Sequence, residues 1–238
     1  MIESIHQWQE ALTSAELEIR ACPVTDHTHI LSDAEKVVIA KAVDIRCNTY
    51  SSGRQCARQA LHALGIASSA YSNGLLRMDD GAVQWPQRCI GSISHTNEWA
   101  LAVVGMQGKP FASVGIDIEN IERVGDSVLH LIASENEQAM LQSLPELHWG
   151  RAGIFSIKES VYKCLRPIYG DFFGFKDVEL SDLDAVASAI STPSVAIFTP
   201  SIKLQLPGLV TCCDVDNIDI RIAVLDELVV SFVSYRES

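Results

Sequence analysis

Basic residues are scarce in this chain. Eighteen lysines and arginines stand against thirty aspartates and glutamates, a formal charge of −12 over 238 residues, which opposes broad attachment to nucleic acid or to an anionic membrane surface. Any phosphate site has therefore to be local. Long apolar runs are absent too: nothing approaches the roughly 20 residues that span a bilayer. Residues Met1 to Glu10 have neither the basic start nor the apolar stretch of a targeting leader, so a soluble, cytoplasmic protein is expected. The seven cysteines, at 22, 47, 56, 89, 164, 212 and 213, include no Cys-x-x-Cys pair and no zinc-type Cys/His spacing. A reducing compartment is expected, with each thiol a small neutral side chain. Missing as well are the Gly-x-x-x-x-Gly-Lys-Ser/Thr, Gly-x-Gly-x-x-Gly and Gly-x-Ser-x-Gly segments, which removes several common enzyme classes.

What is present is an ordinary globular balance, 47% apolar and 20% charged, with enough apolar side chains for a sizeable core. Ser32-Asp33-Ala34-Glu35 is a capping box, predicting a helix that runs towards Ile45. A second helix is predicted from about Ser52 to Leu64, with Gly65 as its stop. Arg54 and Arg58 share one edge of its apolar stripe. Three apolar runs, Ile90 to Ser94, Trp99 to Val104 and Phe111 to Ile118, read as neighbouring strands. Ser134 to Glu137 opens a second capping-box helix, and a longer helix from about Trp149 to Leu165 is stopped by Pro167. Beyond Gly170 come β-type runs at 195–198, 202–206, 210–213, 218–224 and 228–233. Helix-and-strand material thus occurs twice, without a convincing sequence repeat. The expected fold class is α+β, two similar lobes divided as residues 1–114 and 115–238 with the active site between them.

In Val114-Gly115-Ile116-Asp117-Ile118-Glu119 the period-2 alternation puts Asp117 and Glu119 on one face of a strand. Two adjacent carboxylates suit a hard cation such as Mg²⁺, which takes carboxylate, phosphate and water oxygens; the plain alternative is a solvated strand face. In the long helix Ile154, Ile157, Val161 and Leu165 form the apolar stripe, leaving Glu159 and Lys163 as neighbours on the far side. That pair by itself is an ordinary surface contact worth about 0.2–0.5 kcal/mol. Lys158 is less ordinary, about 40° from the centre of the apolar stripe: either an anion meets it there or its stem snorkels to solvent. Gly91-Ser92-Ile93-Ser94-His95 brings small hydroxyl residues and an imidazole to a strand end, a setting for phosphate. Arg46, Arg54, Arg58 and Arg77 are grouped upstream of it in a chain poor in cations. His27 and His29 flank Thr28 with no third ligand nominated, and loop polarity is the better reading there.

Taken together, Gly115-Ile116-Asp117-Ile118-Glu119 and Phe155-Ser156-Ile157-Lys158-Glu159-Ser160-Val161-Tyr162-Lys163 resemble the two signature motifs of the 4′-phosphopantetheinyl transferases. The Arg46…Ser52-Gly53-Arg54 segment, Trp85-Pro86 and Ser92-Ile93-Ser94-His95 look like that family's upstream motifs in the same order, so the likeness covers about residues 32–175. Phe155 and Ser160 resemble the surfactin-type branch associated with enterobactin and other siderophore synthesis. The resemblance implies a fold of two similar α+β lobes. It implies Mg²⁺ on Asp117, Glu119 and Glu159, with Glu159 also a candidate base. It implies catalytic and phosphate-binding roles for Lys158 and Lys163. Arg46, Arg54, Arg77, Ser94 and His95 would hold the substrate, coenzyme A. The implied partners are coenzyme A and apo acyl or peptidyl carrier proteins, with neither nucleic acid nor membrane insertion, and the protein is expected to be a monomer. Two rival readings of the same residues are another Mg²⁺-dependent phosphoryl enzyme, such as a nucleotide phosphatase, and a non-catalytic acidic interaction protein.

Overall fold

Two three-stranded antiparallel sheets share one strand order in a computed structural model that describes residues 2–79, 81–108, 110–144, 147–181, 202–204 and 215–236. The first half runs α1 (Ile2–Leu12), β1 (Leu17–Pro23), α2 (Asp33–Ile39), α3 (Asp44–Ala63), β2 (Cys89–His95) and β3 (Trp99–Met106). The second runs β4 (Phe111–Asn120), α4 (Asp126–Ile132), α5 (Glu135–Ser143), α6 (Gly150–Tyr169), β5 (Val178–Leu180), β6 (Ile202–Leu204), β7 (Ile218–Leu225) and β8 (Leu228–Arg236). The orders β1-β3-β2 and β4-β8-β7 place the last strand of each half between its first and middle strands. One 20-residue helix, α3 or α6, packs on each sheet behind a short capping-box helix, α2 or α5. The two-lobe α+β expectation is met.

One device repeats in both halves although the sequences around it differ. Glu35, buried at the third position of α2, accepts from Ser32 N and Arg58 through Oε2 and from Leu75 N through Oε1. Glu137, buried at the same position of α5, accepts from Ser134 N and Lys158 through Oε2 and from Leu180 N through Oε1. A carboxylate is held inside an apolar lobe only when fully partnered, and here its partners tie together the capping helix, the long helix and a following segment.

Each half keeps a core of its own, around Cys56, Leu61 and Val104 in the first and around Trp149, Ile157 and Val233 in the second, and a third cluster is shared between them. Ile5, Trp8, Ile19, Leu101 and Val103 of the first pack in one cluster with Ile116, Ile118, Val230 and Phe232 of the second. The expected division at 114/115 falls inside β4, which pairs with β8 from Phe111 onwards; we place the junction of the halves just before Phe111.

Several expected elements come out differently. The first capping-box helix ends at Ile39, and α3 begins at Asp44 instead of near Ser52. The first turn of α3 is exposed and burial begins at Thr49, continuing through Ser51, Ser52 and Gly53, and Ser51 and Ser52 hydroxyls accept from the amides of His27 and Thr25. A buried face made of small hydroxyl residues carries no apolar periodicity to read. β4 lies beside β2 but pairs with β8, not with β3. Helix α6 runs through Pro167 to Tyr169 and stops at Gly170, whose φ is +82°; one proline in a last turn removes a single backbone bond. The expected strands at 218–224 and 228–233 are β7 and β8, and β6 covers part of 202–206. Those expected at 195–198 and 210–213 lie outside the described residues.

Candidate active site

Gly115, Asp117 and Glu119 lie on the face of β4 that α6 covers. A Cβ at Gly115 would stand 2.0 Å from the Ser160 carbonyl oxygen and 2.8 Å from the Cys164 nitrogen, so glycine is what allows the α6 backbone to press onto the strand. The approach buries the carboxylates: Asp117 is 2% and Glu119 9% exposed. A solvated strand face is thereby ruled out.

Lys163 reaches across from α6 into this cleft. Its Nζ donates to Asp117 Oδ1 at 2.7 Å, to Ser94 Oγ at 3.2 Å and to the Ile116 carbonyl at 3.2 Å, and Glu159 Oε2 lies 3.9 Å away. Ser94 Oγ in turn donates to Asp117 Oδ1 at 2.7 Å. Three segments distant in sequence, the end of β2, the middle of β4 and the fourth turn of α6, meet at one ammonium group.

The electrostatics follow from that crowding. Burial, and then the negative charge of Asp117, push Glu119 up to about 7, with Glu159 adding a little. Burial also raises Glu159, partly offset by Lys163. Asp117 Oδ2 and Glu119 Oε2 are buried with no hydrogen-bond partner, and Arg123 stands 3.9 Å from the latter. Such oxygens suit a hard cation, so the residues fit Mg²⁺: Asp117 and Glu119 would ligate it and Glu159 stands across the cleft. Among the described residues no three His, Cys, Asp or Glu side chains form a ready-made ligand cluster, which leaves further positions on such an ion to substrate oxygens and water.

His95 ends β2 with Nε2 3.1 Å from Arg46 Nη1. A guanidinium only donates, so Nε2 accepts and the proton of a neutral ring sits on Nδ1. Burial first, then Arg46, holds the imidazole below its usual pKa. Arg46 and His95 thus flank the Ser94 end of the cleft.

Two expected arginines are placed differently. Arg54, 5% exposed, donates through Nε to the Leu75 carbonyl at 2.8 Å, stacks on Tyr50 and lies 3.8 Å from Glu35. Arg77 is exposed and donates to the Gly81 carbonyl. Neither makes a hydrogen bond to the Ser94, Asp117 and Lys163 group.

Lys158 is a correction. It was expected at the phosphates, yet it is 1% exposed and its Nζ donates to Glu137 Oε2 at 2.6 Å and to the Ile132 carbonyl at 2.8 Å. The anion that its place on the apolar side of the helix calls for is a carboxylate of the protein itself. Lys158 is the second-half counterpart of Arg58, and it fixes α6 against α4 and α5.

The sequence reading missed an apolar wall next to Glu159. Tyr162, Phe172, Phe173 and Phe175 enclose, with Lys158, Glu159 and Val178, a cavity of about 160 Å³. Tyr162 stacks against both Phe172 and Phe173, and Phe155 against Phe175. A signal was available, since three of the seven phenylalanines fall within Phe172-Phe173-Gly174-Phe175. A larger open groove of about 890 Å³ lies between α1, β1 and α3. Its arginines are already paired, Arg20 with Glu18 and Arg58 with Glu35.

Comparison with known proteins places this cleft in a family. Residues 34–105 match the profile of the 4′-phosphopantetheinyl transferase N-terminal domain, and residues 113–208 that of the 4′-phosphopantetheinyl transferase superfamily. The 4′-phosphopantetheinyl transferase Svp of Streptomyces mobaraensis is 34% identical over 67% of this chain and 65% of its own length. The transferase PptT of Mycobacterium tuberculosis is 35% identical over 62% of this chain and 63% of its own. Enterobactin synthase component D of Salmonella typhimurium is 33% identical over 48% and 46% respectively. The chain thus spans between 46% and 65% of the length of these curated relatives. With both profiles falling in order on the two halves, Ser94 and His95 within the first and Asp117, Glu119, Glu159 and Lys163 within the second, the chain belongs to the 4′-phosphopantetheinyl transferase superfamily.

Proposed function

We propose that this protein transfers the 4′-phosphopantetheine group of coenzyme A to a serine of an apo acyl or peptidyl carrier protein, releasing adenosine 3′,5′-bisphosphate. The observation that carries the reading is the hydrogen-bonded meeting of Ser94, Asp117 and Lys163 beside two buried carboxylate oxygens that accept no hydrogen bond. Bound Mg²⁺ on Asp117, Glu119 and Glu159 would supply charge neutralisation at the pyrophosphate. The serine oxygen forms a bond to the phosphorus bearing pantetheine while the bond to the bisphosphate oxygen breaks. Glu159, raised by burial, is suited to take the serine proton, directly or through water. Lys163, whose side chain is 25% exposed, can turn from Asp117 towards charge developing on the transferring and leaving oxygens. Arg46 and His95, in contact with each other beside Ser94, would receive the bisphosphate end, and the aromatic cavity beside Glu159 would take the uncharged pantetheine arm. Lys158 has no part in the chemistry.

The test is intact-mass measurement of several apo carrier proteins incubated with the protein, coenzyme A and Mg²⁺. Addition of phosphopantetheine to one or more is expected. Phosphate released without any acceptor favours a phosphatase, and no Mg²⁺-dependent binding of coenzyme A by calorimetry favours a non-catalytic protein.

A further inference from the structure

Cys22 on β1 and Cys56 on α3 bring their sulfurs within 3.3 Å of each other, and neither is in a disulfide. The two residues are 34 apart in the chain and lie outside the cleft, in the core between the first sheet and α3, where Cys56 packs with Ala57, Ala60 and Ala100. Cys22 is half-buried and contacts the Ser52 carbonyl at 3.8 Å, while Cys56 is fully buried and contacts the Ala100 carbonyl at 3.3 Å. An ordinary disulfide has sulfurs about 2.05 Å apart, so closure needs an approach of roughly 1.2 Å.

We infer that Cys22 and Cys56 form a peroxide-oxidisable dithiol that closes to an intramolecular disulfide between β1 and α3. Cys22 is the entry point because it alone of the two has surface open to solvent. The Cys22 thiolate attacks one peroxide oxygen, the O–O bond breaks, and a sulfenic acid forms on Cys22 with loss of hydroxide. The Cys56 sulfur then attacks the Cys22 sulfur, the S–O bond breaks, and the departing oxygen takes the Cys56 proton and leaves as water. Both thiols lose their hydrogens, and one hydroperoxide is reduced to two waters. A thiol donating to Cys22 holds its pKa below the usual range, whereas the hydrogen bond to Cys22, and then burial, push Cys56 up. The attacking and resolving roles divide accordingly. Cys47, the other half-buried described cysteine, has its sulfur against the Ile39 and Ala42 carbonyls instead of a second thiol.

The experiment treats the full chain with hydrogen peroxide, blocks the remaining thiols with iodoacetamide, and maps unreduced peptides by mass spectrometry. A peptide joining Cys22 to Cys56, lighter by two hydrogens and reversed by dithiothreitol, is expected before Cys47, Cys89 or Cys164 is modified. Cys56→Ser should leave a sulfenic acid on Cys22 that dimedone captures. Recovery of Cys22 and Cys56 both alkylated after an oxidant dose that modifies other cysteines overturns the inference. So does Cys22 joined mainly to Cys212 or Cys213. The wild-type map decides even if a variant folds poorly.

Discussion

Lys158 and Lys163 lie five residues apart on α6 and face opposite fates: Lys158 Nζ meets Glu137 in the core at 2.6 Å, and Lys163 Nζ meets Asp117 in the cleft at 2.7 Å. Both pairs are short, but only the second has an outlet to solvent, with Lys163 25% exposed and Lys158 closed off.

That difference separates stability from chemistry. Lys158→Met leaves the Glu137 carboxylate buried without its cation, a loss of about 3–5 kcal/mol, and Glu137→Gln in the same chain should restore most of it. Urea unfolding of the two single variants and the double variant measures this. Equal stability of Lys158→Met and wild type would show that Glu137 finds another partner.

Glu159→Gln should slow transfer by about 10²–10⁴-fold, the usual contribution of a general base, while its unfolding midpoint stays near that of the wild type because Glu159 borders the open cleft. Initial rates of carrier-protein modification, read by intact mass, make the comparison. Full activity in this variant would remove Glu159 from the proposed role.

Glu119 gives stability a pH dependence of definite sign. It takes up its proton at about 7 in the folded protein, against 4.5 for an ordinary glutamate. Between those values the native state binds more protons than the unfolded chain, so its contribution is full below the lower value and is lost as pH rises through the upper one. Glu119→Gln should therefore melt like the wild type in acid and above it at mildly alkaline pH, in metal-free buffer. Mg²⁺ should narrow that alkaline gap by stabilising only the wild type. Calorimetric scans across the range check this, and a pH-independent gap would contradict it.

Gly115→Ala tests the closeness of β4 and α6. The added carbon meets the Ser160 carbonyl at 2.0 Å, and backbone on both sides leaves no flexible atom to yield. A loss of about 1–3 kcal/mol is expected from overpacking. Mg²⁺-dependent binding of coenzyme A should weaken as well, because displacing α6 separates Lys163 from Asp117. Denaturant unfolding and titration calorimetry on one preparation give both readings. Unchanged binding with reduced stability would mean that the helix shifts without disturbing the cleft.

The sequence by itself determined the local facts: both capping boxes, the strand alternation that pairs Asp117 with Glu119, and the helical spacing that pairs Glu159 with Lys163. These depend on neighbours within a turn or two, and the motif wording carried the family. Periodicity put Lys158 on the apolar side of α6 and Glu159 on the other, and tertiary structure alone decided that Lys158 meets an internal anion there instead of snorkelling to solvent. Glu137, 21 residues upstream of Lys158, occupies the space on that side, and helical periodicity holds no information about what packs opposite. Only the fold could show that Arg54 serves Leu75 and Glu35 while Arg46 serves His95. The duplication of the two halves was legible in the recurrence of helix-and-strand material and of the capping boxes, but the shared strand order and the matching partners of the two buried glutamates were not. A pairing between distant segments is fixed by burial and hydrogen-bond satisfaction across them, and a chain read in order contains neither.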